Sequence, residues 1–340
     1  MKFGIFDHMD ASHLSQAEHF ETRLKLVEAM DRLGIDSYHT AEHHGTELGL
    51  APSANVYLSA VAQRTKRLKF GPLVYLPALY HPMRLAQEIC MLDQMSRGRL
   101  QIGVGSGAVW VEQKLMDVDP ETIRERFVEN RDLILQALTS DEVTHHGKYY
   151  NIEGFPMVLR PYQKPRPPMW YGLSNPNSAV WCAENDVNVV SLMPAAASKG
   201  SFDAFREAWA KLGKAEKDIP AIGLCKHIVV ADTDEEALRI AKPAFARWRA
   251  SFSWLWDRKG VPFPFPYPTT LEDHMKAGMS IAGSPRTVAD FLAREAEVAG
   301  ANMIMGQMVF GTLAYDDALR SLELFAGEVM PALQKEKATA

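Results

Sequence analysis

Short β-prone apolar runs alternate with helix-patterned segments along nearly the whole chain. KFGIFD (2–7) precedes helical spacing over 16–33, where Phe20, Leu24, Val27 and Met30 share a face and Gly34 ends the helix. Strands are predicted at 35–42, 67–76 and 99–107, with helices over 53–64, over 82–95, and from Asp119-Pro120 to Leu138, Pro sitting at N1. The second half repeats the rhythm. Strands fall at 167–174, 187–193, 221–231 and 301–310, and helices at 176–184, 201–212, from a Thr233 cap to about residue 250, and 315–334. Regular alternation calls for parallel strands joined by crossover helices. About eight such units suit one α/β domain over 1–340, a (β/α)8 TIM barrel with insertions after strands 4 and 7.

The first insertion, 143–168, is rich in aromatics and prolines and reads as a short hairpin followed by an extended connection. The second, 252–283, alternates prolines with Trp254, Trp256, Phe263, Phe265 and Tyr267 before a short helix. Proline at that density does not fit a barrel strand. A long irregular stretch inside a domain is usually a functional lid or disordered, and the aromatics favour an ordered lid over an apolar substrate. Packing against the barrel rim or a dimer partner is the plainer alternative.

Composition excludes several classes. Charge is mixed at 23% with a net −5, so no basic stripe marks a nucleic-acid surface. No apolar run approaches the roughly 20 residues of a membrane span. The opening MKFGIFDHMD lacks a signal-peptide core, and a soluble cytoplasmic protein is expected. Cys90, Cys182 and Cys225 are odd in number and far apart, which suits buried free thiols.

In such a barrel, chemistry gathers at the C-terminal strand ends. Glu42, His43 and His44 stand together after the second strand, where an imidazole can accept a proton or bond a reactive oxygen; a pair that merely satisfies a loop is equally compatible. His81, before Pro82, orients a ligand or caps a turn. Gly105, Ser106 and Gly107 close GVGSG, and Ser174, Asn175 and Ser178 lie in GLSNPNS. Both loops are small, polar and anion-competent, though tight turns and helix caps also use such residues. No metal-ligand spacing, GxSxG elbow or P-loop is present.

Together these segments resemble the luciferase-like flavin-dependent monooxygenases and oxidoreductases. The likeness runs through MKFGIF, AEHHGTELGL, YLPALYHPMRLAQEICMLDQMSRGRLQIGVGSG, RPYQKPRPPMWYGLSNPNSAVWCAE, IAGSPRTVADFL and LELFAGEVMPAL. It implies FMN bound at the strand C-termini, His43 as the catalytic histidine and His81 in the same pocket. It also implies phosphate held at the loops of Gly105, Ser106, Gly107, Ser174, Asn175 and Ser178, and a non-prolyl cis peptide at Leu73–Val74. The chemistry implied is that of a monooxygenase. A separate NAD(P)H:flavin reductase supplies reduced FMN, and O2 adds at C4a to form a peroxyflavin that oxygenates a small, apolar organic substrate. Deazaflavin F420 with hydride transfer is the alternative on this fold, and a non-catalytic flavin-binding protein a minor one. Luciferase's reactive cysteine, phosphate-binding arginine and loop glutamate are replaced by Gly105, Ser106 and Ser174. A looser phosphate grip suits an enzyme that borrows reduced FMN. A homodimer is also implied, and residues 82–96, with Met83, Cys90, Met91 and Met95, would suit its interface or simple core packing.

Overall fold

The computed structural model describes residues 1–339, with side chains as far as residue 334. The first strands are β1 (Lys2–Asp7), β2 (Ser37–Thr40) and β3 (Lys69–Pro72), and helices α1 (Gln16–Leu33), α2 (Ala54–Arg64) and α3 (Pro82–Ser96) follow them in turn. Gly34 ends α1 in the left-handed region, φ 80°, which a residue without Cβ adopts freely. β4 (Ile102–Val104) leads into a short helix, α4 (Trp110–Leu115), and then α5 (Ile123–Thr139). The first insertion is an antiparallel hairpin as expected, β5 (Glu142–His146) with β6 (Asn151–Pro156).

β7 (Met169–Gly172), α6 (Ala179–Glu184), β8 (Asn188–Ser191), α7 (Ala195–Lys211), β9 (Ile222–Val230) and α8 (Asp234–Lys259) continue the alternation. Then come α9 (Leu271–Lys276), β10 (Ser280–Gly283), α10 (Pro285–Ala299), β11 (Met303–Gln307) and α11 (Tyr315–Leu324). A π-helical turn at Phe325–Val329 joins α11 to α12 (Met330–Thr339).

The eight expected strands form one parallel sheet in the order β3-β2-β1-β11-β9-β8-β7-β4. β3 and β4 nearly close it. Two isolated bridges, Phe70 with Leu100 and Tyr75 with Val104, span the seam, and the Tyr75 N–H donates to the Gly103 carbonyl at 2.8 Å. Gly71 permits that approach, since a Cβ there would lie 1.8 Å from the Gln101 carbonyl oxygen. Apolar side chains fill the barrel and the space under the helices, in a core that includes Phe3, Ile5, Leu224 and Ile304. All three cysteines are buried free thiols, as expected; burial pushes Cys90 up to about 11 and Cys182 and Cys225 up to about 12.

Three expectations need correction. α8 runs to Lys259, so Trp254 and Trp256 stand on a helix; Gly260, at φ 63°, ends it just ahead of the prolines. Residues 280–283, expected to close the lid segment, form β10. This strand pairs with the outer part of β9, from Ser280 opposite His227 to Gly283 opposite Val230. β9 has nine residues and outruns the barrel, which leaves backbone groups there for a four-residue strand to satisfy. The helix expected to open at Asp119-Pro120 begins at Ile123 after a turn over 120–122, and the stretch between β4 and it contains α4.

Candidate active site

A cavity of about 310 Å³ opens at the C-terminal strand ends. Phe6, Ala41, Leu73, Val74 and Val190 give it an apolar floor. The Leu73–Val74 peptide is cis, at the position expected. The polar groups in the wall are few: His8, Glu42, His43, Thr46, Glu112 and Gln113. No lysine or arginine lines it.

His43 and His44 follow β2 and face different carboxylates. His43 Nδ1 is 2.9 Å from Glu112 Oε1 on α4. His44 Nε2 is 3.0 Å from Glu42 Oε1, and the Tyr80 hydroxyl donates to Glu42 Oε2 at 2.8 Å. Burial pushes the Glu42 carboxyl up, although His44 and Tyr80 pull the other way. For His44, burial opposes the charged form, but the hydrogen bond and charge of Glu42 outweigh it and raise its pKa. His8, just past β1, is buried and pushed down to about 3, by desolvation first and His43 second. It is a neutral acceptor, and the Trp248 indole N–H donates to its Nδ1 at 3.5 Å. The His8 and His43 rings are 6.0 Å apart and 24° from parallel.

The phosphate-loop candidates emerge side by side, because β4 pairs with β7, Val104 opposite Tyr171. Gly107, at φ 81°, lines the cavity. Gly105 backs onto Val74, and a Cβ there would come within 2.7 Å of it. Ser106, Ser174, Asn175 and Ser178 lie outside the cavity wall. Asn175 Oδ1 already accepts the Asn177 N–H at 3.0 Å, and the Ser178 hydroxyl donates to that of Tyr171 at 3.3 Å. His81 is likewise not in this wall. It precedes α3 as an exposed N-cap residue, edge-on to Tyr150 at 5.4 Å.

The aromatic segment divides. Trp256, Phe263 and Phe265 line the cavity, joined by Phe252 and Leu255 of α8. Trp254 and Tyr267 do not. Trp254 lies under the Arg258 guanidinium at 5.1 Å, and the Tyr267 hydroxyl is 3.0 Å from His274 Nε2. Sequence reasoning missed Glu112, Phe252 and His8. His8 follows a strand end and could have been found by the rule that singled out His43; Glu112 carries no such signal.

The cavity fits the tricyclic ring of a flavin. Its floor is apolar, and Gly107, Ala108 and Gly172 keep its edges thin; a Cβ on Gly172 would meet nothing within 4 Å. No group of three or more His, Cys, Asp or Glu among the described residues could hold a metal ion. A wider hollow, about 630 Å³, lies away from these strand ends. Its wall mixes charges, among them Arg206, Asp290, Arg294 and Glu297, and shares no residue with the C-terminal cavity.

The sequence model of the luciferase-like monooxygenases matches residues 1–303, and the chain belongs to that family of enzymes. It is 37% identical to the uncharacterized protein y4wF of Sinorhizobium fredii over 97% of this chain and 96% of that one. It is 25% identical to the oxygenase component of the flavin-dependent trigonelline monooxygenase of Acinetobacter baylyi, over 99% and 97%. Among solved structures it resembles the monooxygenase RslO1 of Streptomyces bottropensis, with a TM-score of 0.87 at 24% identity over 97% and 99%. The FMN-bound oxygenating constituent of 3,6-diketocamphane monooxygenase from Pseudomonas putida gives 0.80 at 24% over 98% of both chains. The F420-dependent tetrahydromethanopterin reductase of Methanopyrus kandleri gives 0.72 at 20% over 98% and 99%.

Proposed function

We propose that the chain is the oxygenase half of a two-component system. It takes reduced FMN from a separate NAD(P)H:flavin reductase and uses O2 to oxygenate a small, apolar organic substrate. One observation carries this reading: the cation-free apolar cavity at the strand C-termini, with the His43 imidazole fixed in its wall by Glu112. The named activities of the A. baylyi and P. putida proteins support it.

In this reading Leu73, Val74 and Gly107 would hold the flavin ring. Gly105, Ser106, Ser174, Asn175 and Ser178 would hold its phosphate at the rim, through backbone N–H groups and hydroxyls. Bound reduced FMN would supply the activation of O2. The chain's own work is orientation, exclusion of water and proton handling. Trp256, Phe263 and Phe265 cover the site and favour an apolar substrate. The Nε2 of His43 serves as base or hydrogen-bond partner there. Glu42 and His44 brace the loop beneath it, with His81 further out. A cavity without lysine or arginine selects against anionic substrates, and hydroxyls and backbone N–H groups at the rim would grip phosphate loosely, as a borrowed cofactor requires. The protein acts in the cytoplasm as a homodimer; of the α3 residues named for its interface, Met91 and Met95 are exposed, whereas Met83 and Cys90 belong to the core.

Parallel anaerobic titrations with reduced FMN and reduced F420 test this reading. Saturable binding of reduced FMN, tighter than that of F420, is expected. Preference for F420 would replace the oxygenase with a hydride-transferring oxidoreductase.

A further inference from the structure

Helix α4 touches two parts of the site at once. On one side Trp110 is edge-on to Trp256 at 5.8 Å, and Val111 shares an apolar cluster with Leu255 and Trp256. On the other, the Glu112 carboxylate is 4% exposed and has a single side-chain partner among the described residues, His43 Nδ1 at 2.9 Å. The helix is short, and its grip on the preceding loop includes the Gln113 amide donating to the Gly107 carbonyl at 3.3 Å.

We propose that Glu112 is the positioning residue for His43, and that α4 ties this role to the seating of the aromatic segment. A carboxylate only accepts, so the nitrogen facing it carries the proton. The neutral ring is then the Nδ1–H tautomer, with a lone pair on Nε2. No hydrogen bond reaches His43 Nε2 among the described residues, and His43 lines the cavity, so this lone pair is left for a ligand. In water a neutral imidazole favours the opposite tautomer, with Nε2 protonated, which could donate to a substrate atom but not take its proton. The alternative partner on the ring's face is His8, which burial keeps neutral and which stacks rather than bonds. Glu112 therefore decides the chemistry His43 offers. Because Val111 and Trp110 precede it on the same turn and a half, displacing Trp256 withdraws the carboxylate. The proposal rests on the reading of His43 as the group that faces substrate.

The test uses the full chain without flavin, labelled with 15N-histidine at pH 8. Two-bond proton–nitrogen spectra report the tautomer, and His43→Ala identifies the signals. Wild type is expected to show His43 protonated at Nδ1. Glu112→Leu should move the majority to Nε2–H, and Glu112→Gln, whose amide can accept from Nδ1–H or donate to a bare Nδ1, should fall between wild type and Leu. Trp256→Ala should give a mixture. A wild-type His43 protonated at Nε2, or an unchanged spectrum in Glu112→Leu, overturns the positioning role. If Glu112→Leu does not fold, Glu112→Ala takes its place, with the same shift to Nε2–H expected and an unchanged spectrum overturning the role. An unchanged spectrum in Trp256→Ala overturns the link through α4. No flavin or oxygen enters this measurement, so a protein inert to reduced FMN would refute the oxygenase reading and leave the tautomer result standing.

Discussion

At the barrel mouth His43 and His44 face carboxylates at 2.9 and 3.0 Å, whereas His8, His39, His227 and His274 in the wall are packed among rings. His227 meets Trp248 at 4.2 Å and Phe310 at 4.9 Å, and His39 is edge-on to Trp170 at 5.4 Å. The first pair has partners able to fix a proton. The second group is kept neutral by desolvation: His8 and His39 fall to about 3, His274 to about 4, and His227 well below its ordinary range. In the proposed function one residue type has two uses, a proton-handling group where a carboxylate faces it and aromatic filling where rings enclose it, and His8 belongs to the second although it too follows a strand end and lines the cavity. A carboxylate neighbour at the C-terminal face separates the two uses.

Truncating one member of each group should give the largest difference between them. His43→Ala should lower oxygenation by roughly 100-fold or more while leaving the melting temperature nearly unchanged. His227→Ala should do the reverse, costing about 3 kcal/mol through a cavity in a buried aromatic cluster, with activity per folded molecule retained. Equal losses of activity would erase the distinction.

Acid titration separates the groups next. Unfolded histidine binds a proton near pH 6.5, but the wall histidines in the folded protein do not until far lower. Stability therefore falls as pH drops from about 6.5 toward 4, by up to about 1.4 kcal/mol per pH unit for each such ring. His44 has the opposite sign: its raised folded pKa stabilises below the unfolded value and the gain is lost as pH rises through the folded one. Urea midpoints at pH 7, 6 and 5 should show His227→Phe flattening the acid limb. A wild-type midpoint indifferent to pH over this range would contradict the burial argument.

Smaller effects are expected at the cover and rim. Trp256 is buried and Phe265 is 52% exposed. Trp256→Ala should cost about 3 kcal/mol. Phe265→Ala should cost under about 0.5 kcal/mol and mainly raise the KM for an apolar substrate. Ser178→Ala should weaken FMN binding by less than about 10-fold, as expected for one net hydrogen bond; a null effect would move the phosphate away from that loop.

The sequence made the barrel legible because each of its eight strands is a β-prone run followed by a helical period, and position at a strand end then pointed to His43, His44 and the glycine turn. The rest was hidden for physical reasons. SIAG is four residues long and becomes β10 only because β9 extends past its neighbours. Proline-rich 261–268 masked the fact that α8 reaches Lys259. Glu112 is 69 residues from His43, and an acidic residue in a six-residue helix has no local mark of its partner. His81 was expected in the same pocket because it too follows a strand end, but it lies exposed ahead of α3, edge-on to Tyr150 and outside the cavity wall.

In the proposed function this mouth receives reduced flavin and governs its encounter with oxygen. The most direct measurement mixes protein equilibrated anaerobically with reduced FMN against oxygenated buffer in a stopped-flow spectrometer. The account predicts that flavin bound to the protein returns to its oxidised spectrum at least about 10-fold more slowly than free FMN, since the covered cavity excludes water. Reoxidation at the rate of free FMN, at protein concentrations well above the flavin, would contradict it.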